Sequence, residues 1–253
     1  YPDRLQVEIA DVRDHHSVRA AVSRCSQVFH FAAQVAVTSS LEDPRTDFDI
    51  NLHGTLNVLE ALRSVRRPPP LVFTSTNKVY GALDDVALDA TGTRYQPRDR
   101  RLRDTGIGEA RPLDFHSPYG CSKGGADQYV LDYARSFGVS AVVLRMSCIY
   151  GPHQFGNEDQ GWVAHFLIRA LEGRPLTVYG DGKQVRDILF VEDLVDALLL
   201  CQARMPALSG IHASTRSTPS PVKPAGATPI TSNGSPSSRI SRPTTAGSPP
   251  SRR

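Results

Sequence analysis

Two side chains in this sequence are spaced for acid–base chemistry, the phenol of Tyr119 and the ammonium of Lys123. Four residues apart on a helix, they would share one face and lie one turn from each other. A neighbouring positive charge favours the phenolate over the phenol. Because a free phenol titrates near ~10, a base that works at about pH 7 needs a pKa shift of ~3 units, or ~4 kcal/mol. The spacing therefore predicts a tyrosinate base that needs a second positive charge besides the lysine.

The setting of this pair separates it from a chance match. The same spacing recurs at Tyr179 and Lys183, but two glycines between them favour a turn, in which the side chains need not share a face. Ser117 and Pro118, directly before Tyr119, are instead typical of a helix start. We therefore interpret the first pair as the site and the second as a decoy.

A hydroxyl group is expected close to this pair. Thr76 comes at the end of an apolar stretch that is typical of a buried strand. Its hydroxyl could orient a substrate hydroxyl while Tyr119 takes the proton and Lys123 holds the tyrosinate ionised. The alternative is a strand-end threonine and a half-exposed tyrosine without a chemical role, and the pattern alone leaves both readings open.

Composition limits the class of protein. The 253 residues are 40% hydrophobic, which is ordinary for a globular protein, and no apolar run approaches the ~18 residues that span a membrane. Cys25, Cys121, Cys148 and Cys201 lack metal-ligand spacing, which predicts reduced thiols in a cytoplasmic protein and no metal site. Residues 213–253 carry six basic groups and no acid, which leaves 23 basic against 26 acidic side chains elsewhere. This mildly acidic body predicts neither a nucleic-acid nor a membrane partner.

Short apolar stretches alternate with longer amphipathic ones, which predicts an α/β fold with a Rossmann-like, doubly wound parallel sheet. Ligands of such folds bind beyond the carboxyl ends of the strands, where Thr76 and the Ala32-Ala33 turn are both expected. Residues 84–116 are interpreted as an insertion. The predicted strands are 5–9, 27–31, the strand that begins at 71–73, 141–145 and 176–178, and the predicted helices are the one ending near 23, 46–64, the one opening at 117, 162–171 and 191–201. The helix 46–64 should place one apolar stripe on the core, formed by Phe48, Leu52, Leu56, Leu59 and Leu62.

Four further residues each allow a functional and a structural interpretation. Asp11 could accept a hydrogen bond from an adenine amine or cap the helix that follows. His30, at a strand end, is more typical of a satisfied core residue than of a ligand. Asn51 lies inside a predicted helix, where asparagine is a poor former, so its amide is expected to have a purpose. Arg186 could present its guanidinium to a diphosphate or pair with Asp187 on the surface.

Taken together, these residues resemble the extended short-chain dehydrogenase/reductase family, which contains nucleotide-sugar epimerases and dehydratases. The matching pieces run in family order over about residues 5–205 and comprise Asp11-Val12, 30–33, 51–55, 74–81, 119–123, 150–152 and 184–187.

This resemblance implies a tightly held NAD and a nucleotide-diphosphate sugar as substrate, and it allows a homo-oligomer. By the same match the catalytic residues are Thr76, Tyr119 and Lys123, with Tyr119 as the base. The implied cofactor-binding residues are Asp11, Val12, Phe31, Ala32, Ala33, Asn51, Thr74, Tyr119 and Lys123. The implied substrate-binding residues are Gln34, Asn77 and Arg186.

The two residues after Thr76 indicate which reaction of the family to expect. The dehydratases of the family place an Asp-Glu pair there to deliver a proton to the leaving hydroxyl. Asn77 and Lys78 stand there instead, and neither is a carboxylic acid. The resemblance therefore implies epimerisation of a sugar carbon, C2 being favoured, through transient oxidation to a ketone. A 4-epimerase or a 4,6-dehydratase is the alternative within the family.

Two departures from the family pattern add a further alternative. The family begins with a strand, a Gly-rich turn and a helix that hold the NAD pyrophosphate, and the sheet is expected to lack its first two strands here. Residues 1–208 are then an incomplete NAD-dependent epimerase/dehydratase domain. Residues 209–253, rich in Ser, Thr, Pro and Arg, are predicted to be disordered, and a frameshift near Ser209 is one hypothesis for them. A non-catalytic remnant that cannot hold NAD therefore stays open.

Overall fold

The computed structural model describes residues 2–208, and the predicted disorder of 209–253 concerns residues outside that range. Three of its strands form a parallel sheet. The strands are β1 (Val28–His30), β2 (Leu71–Thr76), β3 (Leu88–Ala90), β4 (Tyr95–Pro97), β5 (Ala141–Met146), β6 (Cys148–Tyr150) and β7 (Ile188–Phe190). The α-helices are α1 (His15–Val22), α2 (Val37–Glu42), α3 (Pro44–Phe48), α4 (Gly54–Ser64), α5 (Arg100–Thr105), α6 (Ser117–Phe137), α7 (Trp162–Leu171) and α8 (Val191–Leu208).

Strand β2 lies at the centre of the sheet, whose order is β1-β2-β5. Leu71 is opposite Val28 on one side and Ala141 on the other, and both pairings are parallel. A second parallel pair joins β6 to β7, and β3 and β4 form an antiparallel hairpin. This arrangement confirms the predicted α/β class with a parallel, Rossmann-like sheet.

All six residues of β2 are buried because helices cover both faces of the sheet. Leu71 and Phe73 belong to one hydrophobic core with α1, α4 and α6. Val72 points to the opposite face and packs against Leu194 and Leu198 of α8. Neighbouring residues of a strand face opposite sides of the sheet. Because helices cover both sides, Leu71, Val72 and Phe73 are all apolar.

Two predicted strands are wrong. Residues 5–9 and 176–178 are not in strands, and Val7 and Ile9 are exposed to 74% and 101%. Alternating apolar residues show which face of a strand would be buried, but a strand also needs a neighbour for its backbone groups. Within residues 2–208 neither segment lies beside such a neighbour.

The predicted helix 46–64 is interrupted. A π-helical segment, Asp49–His53, lies between α3 and α4. A π-turn holds more residues than an α-turn, so it rotates the faces on its two sides relative to each other. Leu59 and Leu62 of the predicted stripe are therefore fully buried, whereas Phe48 is 50% exposed.

The predicted insertion, residues 84–116, is ordered and carries the β3–β4 hairpin and α5. Its hairpin reaches across to a loop near β7, where the Tyr95 amide donates to the Lys183 carbonyl (3.0 Å) and the Tyr95 hydroxyl to the Asp181 carboxylate (2.6 Å). None of the helices within residues 2–208 combines the length and apolarity that crossing a bilayer requires.

Histidine 30 joins β1 to α4 as a satisfied core residue. Its Nε2 lies 3.1 Å from the Thr55 hydroxyl, and that hydroxyl donates its own proton to the Asn51 carbonyl, so Nε2 must be the donor. Burial, and secondly the charge of Lys123, lowers the pKa of His30 from 6.5 to about 4. The structural interpretation of His30 is therefore the right one.

We expect His30 to weaken the protein in mild acid. The unfolded chain takes up this proton near pH 6.5 and the folded chain only near pH 4, so stability falls as pH falls through that window. The full effect is about 3 kcal/mol. His30→Gln, which retains an N–H donor, should flatten urea unfolding free energies between pH 6.5 and 4. The exposed His16→Gln serves as a control, and an unchanged slope in the His30 variant would contradict the assignment.

The interrupted helix makes a second prediction. Leu62→Ala should lower the free energy of unfolding by about 2–5 kcal/mol, because it opens a cavity in the core. Phe48→Ala, in the same predicted stripe but half exposed, should cost about 1 kcal/mol or less. Urea denaturation of both variants checks this, and equal losses would mean that the stripe is continuous after all.

Candidate active site

Helix α6 crosses the carboxyl end of β2 and brings Tyr119 against Thr76. The Thr76 hydroxyl lies close enough to the phenol of Tyr119 to lower its pKa, and it accepts a hydrogen bond from the Lys78 amide at 3.2 Å. Both side chains are buried, Thr76 to 8% and Tyr119 to 9% residual exposure. The structure therefore brings together the hydroxyl and the phenol that the sequence pattern had paired.

The start of α6 is built for this crossing. Ser117 has a positive φ of 63°, and its hydroxyl accepts a hydrogen bond from the Gly120 amide at 3.2 Å. Pro118 occupies the first turn, where its missing N–H costs nothing. Further along, a side chain at Gly124 would collide with the ring of Phe115. The two glycines after Ser122 and Lys123 thus allow the helix to approach its neighbours closely.

Lys123 is buried one turn further along α6. Its ammonium donates to the Thr74 carbonyl (2.7 Å) and lies 4.5 Å above the ring of Phe73. Burial lowers the pKa of Lys123 from 10.5 to about 8, while the carboxylates of Asp127 and then Asp47 oppose that change. Lys123 is thus tied to β2 rather than to the phenol of Tyr119.

The phenol does not have the low pKa expected from the spacing. Burial raises the pKa of Tyr119 above its ordinary value, the nearby Thr76 hydroxyl lowers it, and the charge of Asp47 raises it further. Desolvation of the phenolate is therefore the largest influence on this pKa. The second positive charge that the spacing predicted is needed here too.

Asn51 organises the buried polar groups behind the site. Its Oδ1 accepts from the Gln34 amide at 2.9 Å, and its Nδ2 donates to Asp47 Oδ1 (3.1 Å) and Ser122 Oγ (3.0 Å). The Ser122 hydroxyl in turn donates to Asp47 Oδ2. The Asn51 amide therefore has a purpose, as expected: it joins the segments that carry Gln34, Asp47 and Ser122. A direct contact of Asn51 with a cofactor stays a prediction.

The end of β1 offers an open surface beside this network. Phe31 is 54% exposed and Ala32 is exposed, whereas Ala33 is partly covered. Gln34 follows, and its Oε1 is buried without a hydrogen-bond partner among the described residues. The exposed apolar side chains of Phe31 and Ala32 suit a planar ring such as nicotinamide, and the unused acceptor of Gln34 suits a hydroxyl donor.

Three other predicted cofactor positions have their groups engaged within the protein. The hydroxyl of Thr74 donates to the His30 carbonyl at 3.0 Å. Val12 packs below α4, where a side chain on Gly54 would lie 2.6 Å from its Cγ1. Asp11 is exposed and pairs with Arg13 at 2.6 Å.

Asp11 does not cap α1. Asp14 does, and its carboxylate accepts from the His16 amide at 3.0 Å. The helix-cap reading of Asp11 is therefore wrong, because the helix begins three residues later than that reading needs. The Asp11 carboxylate is exposed but paired with Arg13, and its contact with an adenine amine stays a prediction.

Asn77 directly follows Thr76, at the end of β2. Its Oδ1 accepts from the Thr76 hydroxyl (3.5 Å) and its Nδ2 donates to Ser147 Oγ (3.3 Å). Ser147 donates in turn to the Asp187 carbonyl at 2.8 Å. This chain of bonds fixes the amide across the space between β2 and β7.

Arg186 borders a separate cavity of about 360 Å³. Within residues 2–208 the structure records no ion pair between Arg186 and Asp187, so the surface-pair reading is wrong. Burial raises the pKa of the Asp187 carboxyl instead. Tyr179 also borders the cavity, at a turn with φ values of 79° and 74° at Gly180 and Gly182, as the decoy reading expected. The other side chains that line it include Trp162, His165, Phe166 and Arg169.

Sequence reasoning missed a buried ion pair beneath the site. The Asp127 carboxylate is fully buried and binds the Arg145 guanidinium through two hydrogen bonds of 2.9 and 2.8 Å. Arg145 also donates to the Tyr80 hydroxyl at 3.0 Å. The available signal was the position of Asp127, one helical turn after Lys123. Its partner in β5 could be found only from the fold.

Comparison with known proteins identifies the family of this chain. The sequence pattern of the NAD dependent epimerase/dehydratase family matches residues 2–208. The chain is 44% identical over 207 residues to the CDP-paratose 2-epimerase of Salmonella typhi, a match covering 79% of this chain and 60% of that protein. It is 33% identical over 191 residues to the dTDP-glucose 4,6-dehydratase of Mycobacterium tuberculosis, covering 76% of this chain and 51% of that protein.

The fold of this chain is also similar to that of a solved structure. The UDP-glucose 4-epimerase of Thermus thermophilus, solved in complex with NAD, superposes with a TM-score of 0.61 at 30% identity and covers 87% of this chain and 74% of its own. The chain spans 60% and 51% of the lengths of the two curated relatives. The resemblance seen in the motifs is thereby confirmed, and the chain belongs to the NAD dependent epimerase/dehydratase family.

Proposed function

We propose that this chain carries the site of an NAD-dependent nucleotide-sugar epimerase that inverts C2 of CDP-paratose. The observation that carries the proposal is the pairing of Thr76 with Tyr119 at the end of β2, followed by Asn77 rather than by a carboxylic acid. The 44% identity to a CDP-paratose 2-epimerase supports the choice of sugar and nucleotide. The UDP-glucose 4-epimerase solved with NAD supports the choice of cofactor.

Each site residue would have a separate role in the reaction. The Thr76 hydroxyl holds the sugar hydroxyl at C2 against Tyr119, which takes its proton and later returns it. When bound, NAD supplies a reversible acceptor for the C2 hydrogen and a positive ring that, with Lys123, opposes the raised pKa of Tyr119. Phe31, Ala32 and Lys123 are the residues we expect to hold it, with Asp11 further out. The unused acceptor of Gln34 would bind a sugar hydroxyl.

The arrangement of Asn77 favours epimerisation over elimination of water. A dehydratase must protonate a leaving hydroxyl, which requires an acid next to the sugar. An amide cannot supply that proton at neutral pH, and the side chain of Asn77 is fixed between Thr76 and Ser147. Asn77 would instead hold the sugar ring by hydrogen bonds. Arg186, beside the cavity, would hold the diphosphate.

The role of Tyr119 makes the first prediction. Tyr119→Phe should lower turnover of CDP-paratose by about 10²–10⁴-fold, because the proton acceptor is lost while the ring remains. NAD binding, measured by fluorescence, should change little. Tyr129→Phe, on the exposed side of the same helix, is the matched control and should keep full activity. If Tyr119→Phe stayed active, the assignment of the base would be wrong.

The fate of the C2 hydrogen makes the second prediction. Inversion by deprotonation next to a carbonyl would exchange this hydrogen with solvent, but C2 has no carbonyl beside it. We expect the full chain with NAD to interconvert CDP-paratose and CDP-tyvelose in heavy water without placing deuterium at C2, as read by mass spectrometry and NMR.

Other outcomes of this assay separate the alternatives. Deuterium at C2 at the rate of epimerisation would exclude transient oxidation. Loss of water from the sugar would indicate a dehydratase, and turnover of UDP-glucose in place of the CDP-sugar would indicate a 4-epimerase. A folded chain that neither binds NAD nor turns over any of these sugars would be a non-catalytic remnant.

A further inference from the structure

Three successive residues of β2 each lie against a side chain of α6. Thr76 meets Tyr119, the Thr74 carbonyl accepts from Lys123, and the Ser75 hydroxyl donates to Asp127 Oδ2 at 2.7 Å. The three α6 residues are four apart, so they follow one face of the helix. Asp127 is thus the third member of a row whose first two members have proposed roles in catalysis.

Many hydrogen bonds fix the side chain of Asp127. Its side chain is fully buried, and its two oxygens accept four hydrogen bonds, from Ser75, Gln128 and the fork of Arg145. Arg145 is also nearly covered, with 14% of its side chain exposed, and lies 5.3 Å from the ring of Tyr80. A bidentate pair of this kind fixes both position and orientation.

The pair joins three segments that carry candidate site residues, which are α6, β2 and the short helix after β2. Asp127 belongs to α6, Arg145 to β5, and Ser75 to β2. Tyr80 ends the short helix Asn77–Tyr80, which begins with Asn77. A buried pair can be replaced by apolar residues at little cost in stability, so stability alone is a weak reason for it.

We propose that Asp127, anchored by Arg145, is a positioning residue for Lys123: it fixes β2 through Ser75, next to the Thr74 carbonyl that binds the ammonium, and its carboxylate, one helical turn away, favours the charged lysine. The proposal rests on the proposed role of Lys123 in the epimerase site. Asp127 itself touches neither substrate nor cofactor, since it is fully buried under Ser75 and Arg145.

The charges around Lys123 are consistent with this role. On α6 it is flanked by Tyr119 and Asp127, from α3 it faces Asp47, and from β1 it faces His30. Asp127 is the stronger of the two carboxylates that keep the pKa of Lys123 at about 8 against burial. A pKa near 8 lies close to neutral pH, so loss of the Asp127 charge would shift Lys123 towards its neutral form.

The test is the titration of Lys123 in two variants of the full chain without cofactor. The sequence has four lysines, so ¹³Cε-lysine labelling with assignment by Lys→Arg substitution resolves each one. Asp127→Asn removes the negative charge and leaves Arg145, so the pKa of Lys123 should fall by about one unit. Arg145→Gln leaves the carboxylate unpaired, so the pKa of Lys123 should rise.

Opposite directions distinguish the proposal from a merely structural role, because both variants break the same buried pair and should lose stability together. Shifts in the same direction, or no shift in either variant, would overturn it. If Asp127→Asn does not fold, Arg145→Gln decides alone, and a lowered or unchanged pKa of Lys123 counts against the proposal. Asp132→Asn, exposed on the same helix, is the control. The titration needs no substrate, so a failed epimerase assay leaves its result intact.

Discussion

The crossing of α6 over the carboxyl end of β2 is the contact on which the rest of the site depends. It buries a phenol, an ammonium and a carboxylate at intervals of one helical turn, each against a different residue of the same strand. Buried polar groups are costly unless they are paired. A shift of the strand by one residue would therefore separate all three groups from their partners. This fixes the position of the Tyr119 phenol relative to the Thr76 hydroxyl.

The chemistry at this crossing is a competition between desolvation and charge. Burial moves the pKa of Tyr119 up and that of Lys123 down, so both groups are pushed towards their neutral forms. The carboxylates of Asp127 and Asp47 raise the pKa of Lys123 against burial, but Asp47 also makes the phenolate less favourable. In such a site the phenol of Tyr119 would stay protonated until a positively charged ligand bound beside Phe31 and lowered its pKa.

Features that depend on local spacing could be predicted from the sequence. Helical spacing and strand ends singled out Tyr119, Lys123 and Thr76 as candidate site residues, and the poor helix propensity of asparagine singled out Asn51. The roles of these residues stay predictions, although the structure places them together. Patterns could not reveal that residues 5–9 and 176–178 lack strand partners within the described chain, because pairing is not a local property. The bond between Asp127 and Arg145 was invisible for the same reason, since it joins a helix to a separate strand.

The π-helical segment Asp49–His53 constrains how this chain can vary in length. An α-helix turns by about 100° per residue, so removing one residue here would restore a regular helix and swing the faces on its two sides apart. Asn51 sits within the segment, with Asp47 before it and Thr55 after it. Asp47 and Asn51 are bonded to Ser122 of α6, and Thr55 to His30 of β1. The extra residue therefore acts as a spacer. Substitutions along this stretch alter single contacts, but a change of one residue in its length would disconnect β1 from α6.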